Sequence, residues 1–325
     1  MYKRKRHGKG FTYQDDAGKT IQDKELRKWF ESLVIPPAWS DVHIYEPKEK
    51  VLVTGRDEKG RKQYIYNPDY LEKQRSKKYN RIVRFAESLE RMRRVTGQHM
   101  RASEMTRNKV CATMLRLMDQ AFFRPGNPQY TKRNGTHGLT TLRSKHLEIE
   151  EGVLTFNYIG KSGQEQTKEI EDDRLAGIVQ ELDEMPGYRI FKYLDTNGEK
   201  HEIECHDLNE YIHEVMGEDF TAKDFRTWAG TMVAAIALDQ FDAVGTEDQK
   251  QLDSNIKEAI NLVAETLGNT PAVARSSYVD PRVIEHYMNG QTVRYFAKQA
   301  KKLLNDGNHL MEKERLVLCM LKNSA

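Results

Sequence analysis

The run LGNTPAVARSSYVDP, residues 267 to 281, sets Tyr278 directly behind Arg275, Ser276 and Ser277 and nine residues after Asn269. One tyrosine among 15 carries little weight by itself; most tyrosines are half-buried rings with the hydroxyl turned to solvent. Three other segments supply groups that a tyrosine attacking phosphorus needs. FFRPGNPQY (122 to 130) places Arg124 just past an amphipathic helix, and YIGKSG (158 to 163) places Lys161 in a loop after a strand. TAKDFRTWAG (221 to 230) places Arg226 near the start of a helix that Thr221 can cap. Two guanidiniums can cradle the nonbridging oxygens of a pentacoordinate phosphorus, whose charge otherwise goes to a metal. The amide of Asn269 can add one hydrogen bond, and a lysine on a mobile loop can protonate a departing alkoxide too basic to leave unaided. In a chain with 52 Lys and Arg such residues can also be ordinary surface groups, and on these residues alone that plainer reading wins.

The elements that must position these groups change character along the chain. The first 70 residues hold short alternating runs such as VHIYE (42 to 46), KVLVTG (50 to 55) and RKQYIYNP (61 to 68), separated by turn residues. They predict a small antiparallel β unit with one helix at 23 to 33. The basic stretch LEKQRSKKYN (71 to 80) reads as a linker. Beyond it the apolar period becomes helical: Ile82, Phe85, Leu89 and Met92 share one face, as do Phe225, Trp228, Met232 and Ile236, and again Leu252, Ile256, Ile260 and Val263. One island, residues 146 to 170, alternates with period two around Glu150-Glu151-Gly152 and predicts a β-hairpin or three-stranded sheet inside a helical domain. The expected fold is α+β, with a β-rich domain at 1–75 and a mostly α-helical domain at 76–325.

Composition bounds the partners. With 325 residues, 38% apolar and 31% charged, the chain predicts a soluble protein of about two domains at roughly 150 residues each. It has neither a long apolar run to span a membrane nor an apolar stretch behind its basic N-terminus to act as a secretory signal. Three scattered cysteines, Cys111, Cys205 and Cys319, fit a reducing compartment. Net charge is only +3, but residues 71 to 110 hold twelve Lys or Arg against four acids, while residues 237 to 266 are acidic. The basic run is either a solvated face or a footprint for a polyanion. Nucleotide motifs fail: IGKSG has Thr155 where a phosphate-binding loop needs its first glycine, and GRDEKGRK has Arg61-Lys62 in place of Lys-Ser/Thr. His201, Cys205 and His206 offer three zinc ligands, but the last two are adjacent and no fourth suggests itself. No metal and no cofactor are expected.

The spacing of the first motifs resembles a known family. IPPAW (35 to 39) and GRDEKGRKQYIYNP (55 to 68), then RPGNPQYTKRNGTHGLTTLRSKHLEI, IGKSG, KDFRTW and LGNTPAVARSSY, are similar in order and spacing to the small, poxvirus-type type IB DNA topoisomerases, which also occur in bacteria. The resemblance implies a β domain and a helical catalytic domain, of the kind shared with tyrosine recombinases, closing as a C-shaped clamp on double-stranded DNA. It implies that Tyr278 is the nucleophile, that Arg124 and Arg226 clamp the scissile phosphate, and that Lys161 is the general acid for the 5′-oxygen. Lys223 matches an assisting lysine. Asn269 departs from the histidine of many relatives, though some bacterial members carry asparagine, and either side chain can donate to a phosphate oxygen. Gln63, Tyr64 and Tyr66 match residues that touch bases in the major groove, although same-face tyrosines on a strand are also ordinary sheet surface. Tyr130 and Lys132 match phosphate or base contacts. The activity implied is relaxation of supercoiled DNA through a 3′-phosphotyrosine by a monomer, without ATP or metal, in a bacterial cytoplasm or nucleoid, or in a host cell or virion.

Two rivals remain on the residues alone. A tyrosine site-specific recombinase shares the Arg-Lys-Arg-Tyr set, but usually shows His-x-x-Arg where this chain has Lys223-x-x-Arg226, and its N-terminal domain is usually helical. A non-catalytic DNA-binding clamp would leave Tyr278 structural.

Overall fold

The structure, a computed structural model, describes residues 1–8, 10–217, 220–241, 248–308 and 310–323. The acidic stretch at 237 to 266 therefore lies partly outside the described residues. The chain divides into two compact units, Met1–Asn80 and Arg81–Ala325.

In the first unit the alternating runs form a five-stranded antiparallel sheet, ordered β2-β1-β3-β4-β5. Its strands are β1 (Tyr2–His7), β2 (Gly10–Gln14), β3 (Ser40–Ile44), β4 (Val51–Arg56) and β5 (Lys62–Tyr66). One helix, α1 (Lys24–Ser32), starts where the Asp23 carboxylate accepts from the N–H groups of Glu25 and Leu26. It buries Phe30 with Val42, Ile44 and Val53, against the tilted rings of Tyr2 and Tyr13 at 5.0 and 4.7 Å. The Arg4 guanidinium holds the IPPAW loop by donating to the carbonyls of Ile35, Pro36 and Trp39 at 2.9 to 3.0 Å. Gly55 is dictated by packing: a Cβ there would stand 2.8 Å from the Trp39 ring. β5 is an edge strand that turns Tyr64 and Tyr66 outward on one face.

α2 (Pro68–His99) runs unbroken through residues 71 to 80, so the expected linker is helix. Seven of its ten residues are Leu, Glu, Lys, Gln or Arg, and it holds no Gly or Pro. A charged linker and a solvated helix share such a composition, and the good helix propensity of these residues decides it. The second unit continues with α3 (Arg107–Ala121), α4 (Pro128–Asn134) and the three-stranded antiparallel sheet β6 (Leu147–Glu150), β7 (Val153–Ile159) and β8 (Glu165–Glu171). Glu151 and Gly152, at φ 47° and 82°, make the tight turn between β6 and β7. Then follow α5 (Asp173–Glu184), the small hairpin β9 (Lys192–Leu194) and β10 (Lys200–Glu202), α6 (Cys205–Met216), α7 (Ala222–Gln240), α8 (Gln249–Leu267), α9 (Pro271–Ser277), α10 (Pro281–Met288), α11 (Ala297–Asn305) and α12 (Glu312–Lys322).

α7 is the central helix of this unit. It packs against α6, α8, α10 and α12 and is buried around most of its circumference, from Phe225 and Trp228 to Ala234 and Leu238. α12 is pinned from its first turn: Arg93 on α2 grips Asp119 at 2.8 and 2.9 Å and Glu314 at 2.6 and 2.7 Å, with Glu314 only 1% exposed. Part of the basic run at 71 to 110 is thus neither solvated face nor footprint. Arg93 is spent in that cluster, Lys109 is buried beside Glu181, and Arg107 reaches Glu210 and Glu214.

Candidate active site

Four of the expected residues meet where α8 ends. Gly268 closes the helix in the left-handed region (φ 58°), its N–H returning to the carbonyls of Ala264 and Glu265, and the Asn269 N–H also returns to Ala264. The next carbonyls, which an α-helix leaves without partners, accept from cations on distant elements. Arg226 donates to the Leu267 carbonyl at 2.7 Å, and Arg124 donates to that of Gly268 at 2.7 Å and to the Asn269 side-chain oxygen at 2.6 Å. One step earlier, Lys168 on β8 donates to the Thr266 carbonyl at 2.9 Å.

Each group is held by local design. Arg124 follows Phe122, whose left-handed backbone (φ 58°) ends α3 and whose carbonyl accepts from Arg226 at 2.7 Å. The loop carrying Arg124 is seated by two glycines in close approach: a Cβ on Gly138 would stand 2.6 Å from the Gly126 backbone. The Leu139 N–H then reaches the Arg124 carbonyl at 2.8 Å. Arg226 lies in the first turns of α7, whose start is fixed by the Asp224 carboxylate accepting from the Thr221 N–H at 2.9 Å and from Arg81 at 2.7 Å. Tyr278 sits at the end of α9, its N–H on the Ala274 carbonyl. Its own carbonyl accepts from the Thr231 hydroxyl at 3.2 Å, and that hydroxyl accepts from the Asp280 N–H. Gly230 makes this contact feasible, since a Cβ there would lie 2.7 Å from the Tyr278 carbonyl oxygen.

Electrostatics favour an ionised phenol. The Arg226 guanidinium carbon lies 5.1 Å from the centre of the Tyr278 ring. Burial pushes the Tyr278 phenol up, but Arg226, by charge and hydrogen bond, with Arg124 and then Lys223, outweighs it and brings the phenol below its ordinary value. Neighbouring Tyr158 shows the opposite balance: there burial wins over the same two arginines and pushes the phenol up to about 12. Two buried donors, Arg226 Nε and Asn269 Nδ2, have no partner among the described residues. Both donors can therefore serve an incoming acceptor without giving up a bond already made.

Lys223 is exposed on the first turn of α7, close enough to act on the Tyr278 phenol. Lys161 is exposed at the tip of the β7–β8 hairpin. Tyr130 and Lys132 stand exposed on α4. In the first unit Tyr64, Tyr66 and Tyr70 stack in series at 5.9 and 6.1 Å, with Lys62 over Tyr64 and Lys50 over Tyr70. Gln63 donates to Asp57 at 2.9 Å. His201 pairs with Asp195, and the Cys205 sulfur accepts from Asn209, so the candidate zinc set does not assemble; among the described residues, Asp195, Glu199 and His201 form the group with ligating atoms within 4.8 Å. Lys168, Gly230 and Thr231 escaped the sequence reading. The one available signal was a lysine at an inward position of an alternating strand, between buried Gln166 and Ile170.

The family model described as eukaryotic DNA topoisomerase I, catalytic core, matches residues 62–306, and that described as bacterial DNA topoisomerase IB, N-terminal domain, matches residues 10–57. The chain is 32% identical over 295 residues to DNA topoisomerase 1B of Acanthamoeba polyphaga mimivirus, spanning 89% of this chain and 88% of that protein. It is 24% identical over 288 residues to DNA topoisomerase I of monkeypox virus, spanning 86% and 87%.

Proposed function

The chain belongs to the small, poxvirus-type type IB DNA topoisomerases, and from that premise we propose how its own residues carry the reaction. It is a DNA-binding isomerase that relaxes supercoiled duplex DNA. Tyr278 Oη attacks the scissile phosphorus, losing its proton as the new P–O bond forms, and the P–O5′ bond breaks to leave a 3′-phosphotyrosyl ester. Arg124 and Arg226 take the nonbridging oxygens, trading helix-end carbonyls for a stronger anion. Asn269 gives its side-chain N–H to the same phosphate. Lys161, brought in with the hairpin tip, protonates the 5′-oxygen, and Lys223 adds positive charge beside the phenol. The free 5′ end rotates, and its hydroxyl then attacks the ester to restore the strand.

The observation that carries this reading is the meeting of Tyr278, Arg124, Arg226 and Asn269 at one helix end. For DNA capture we propose that both units hold the duplex as a clamp formed by a monomer. The outward tyrosine stack with its lysines supports a nucleic-acid face on the first unit, and α12, buried within its own chain, supports a catalytic unit that needs no second copy.

Relaxation of a supercoiled plasmid in EDTA, with Tyr278→Phe as the paired variant, tests the assignment. The parent is expected to relax the plasmid and form a covalent adduct; the variant, lacking only the nucleophilic oxygen, should bind DNA at near-parental strength and do neither. Relaxation by Tyr278→Phe well above background means that another residue attacks.

A further inference from the structure

The C-terminal carbonyls of α8 are taken in strict sequence by three cations from three elements: Thr266 by Lys168, Leu267 by Arg226, Gly268 by Arg124. The two arginines belong to the proposed phosphate clamp, and Lys168 has no role in it. Lys168 lies instead on β8, the return strand of the hairpin whose tip is Lys161. The turn between them is short and closed by its own hydrogen bonds, Gly160 N–H to the Gln164 carbonyl at 2.7 Å and Gly163 N–H to that of Gly160 at 3.2 Å. From Glu165 to Lys168 the strand advances about 10 Å at roughly 3.3 Å per residue. A second side chain of the same inward face seats at the same place: Gln166 is 7% exposed and presses on Gly268, where a Cβ would stand 2.4 Å from its side-chain oxygen.

We propose that Lys168 is a positioning residue that ties the hairpin bearing Lys161 to the helix end that holds Arg124 and Arg226. Acid and clamp then share one reference point, although they come from segments far apart in the chain. The arrangement rests on the assignment of Lys161 as the general acid. Its cost is visible in the charge: burial, then Arg226 and Arg124, pulls the Lys168 ammonium down to about 8. A methionine or leucine would fill the same inward position of β8 without that cost, but neither can reach the Thr266 carbonyl with a donor.

The test compares two versions of a duplex carrying a site that the parent cleaves, one ordinary and one with sulfur as the bridging 5′ atom, which departs without a proton. Lys168→Met should slow cleavage of ordinary DNA by about 10²-fold, the effect of misplacing a group by about 1 Å. Noncovalent DNA affinity should stay near parental, most of the rate should return on the sulfur substrate, and Lys168→Arg should restore most of it on ordinary DNA. Lys168→Gln, which keeps a shorter donor, carries the same comparison should the methionine variant fail to fold. Lys168→Met, or its glutamine stand-in, cleaving ordinary DNA at the parental rate or equally slowly on both substrates overturns the proposal. Lys161→Ala, run in parallel, separates the two assignments. If sulfur rescues Lys161→Ala but not Lys168→Met, the positioning role alone falls; if it rescues neither, the acid assignment falls and takes the positioning role with it.

Discussion

Asn269 holds one end of its amide on Arg124 and points the other, unpartnered, into the site. A neutral carboxamide can donate to a phosphate oxygen but cannot carry a proton, so its contribution should be that of one preorganised donor. Asn269→Ala should lose about 10²- to 10³-fold in cleavage rate. Asn269→His should keep most activity, whereas Asn269→Asp should be far slower, because a carboxylate repels the phosphate and offers no donor. Single-turnover cleavage by the three variants checks the order. Tyr278 gives a pH prediction at the same scale. Its phenol is depressed, so it loses its proton at lower pH than an ordinary tyrosine. On the sulfur substrate, which needs no acid, the rate should climb with pH and level off below about 10, the ordinary phenol value. Lys223→Ala removes one of the three depressing cations and should move that level-off upward. A level-off at or above the ordinary value in the parent would contradict the charge balance at the site.

Among the elements, α7 and α8 do most of the positioning. Gly230→Ala puts a methyl into the Tyr278 backbone, 2.7 Å from its carbonyl oxygen and 2.8 Å from its Cβ, where no flexible side chain can yield. Far-UV circular dichroism and DNA affinity should change little, while cleavage should fall by about 10²-fold. These contacts mark where legibility stopped. The helical period exposed α7 and α8 because their buried faces repeat every three or four residues, and the Glu150-Glu151-Gly152 turn announced the β6–β7 hairpin. Arg124, Arg226, Asn269 and Tyr278 were legible through motif order, which local sequence preserves. The helical backbone of the stretch at 71 to 80 stayed hidden because charge density describes solvation and is silent about conformation. Gly230, Thr231 and Lys168 stayed hidden because their roles depend on which backbone atom of a remote segment lies opposite, and no periodicity within their own elements encodes that.

For the molecule as a whole, charge is divided between holding the fold and meeting DNA. Arg93, Arg107 and Lys109 are paired within the protein, so the basic run at 71 to 110 supplies fewer free cations than its composition suggests. Lys50, over the half-buried Tyr70, and Lys62, over the exposed Tyr64, remain available. If about 6 to 10 phosphates are neutralised in the complex, affinity should drop about 10³- to 10⁵-fold between about 50 and 200 mM salt. Arg93→Gln should leave that slope unchanged while destabilising the helical unit by about 3 kcal/mol, since Glu314 would be left buried without its cation while Asp119 keeps Arg116. Binding isotherms across a salt series, with denaturant melts of the same proteins, check both.

The clasp between Arg93 and Glu314 also sets an order of events on the ribosome. Every strand of the first sheet lies within the first 80 residues, so that unit holds all its partners early in synthesis. The second unit does not, because Glu314 and the apolar face of α12 are translated after Tyr278. At about 5 to 20 residues per second, roughly 10 to 50 s separate the two stages. A nascent chain tethered to its messenger therefore carries a finished β unit and an unfinished core.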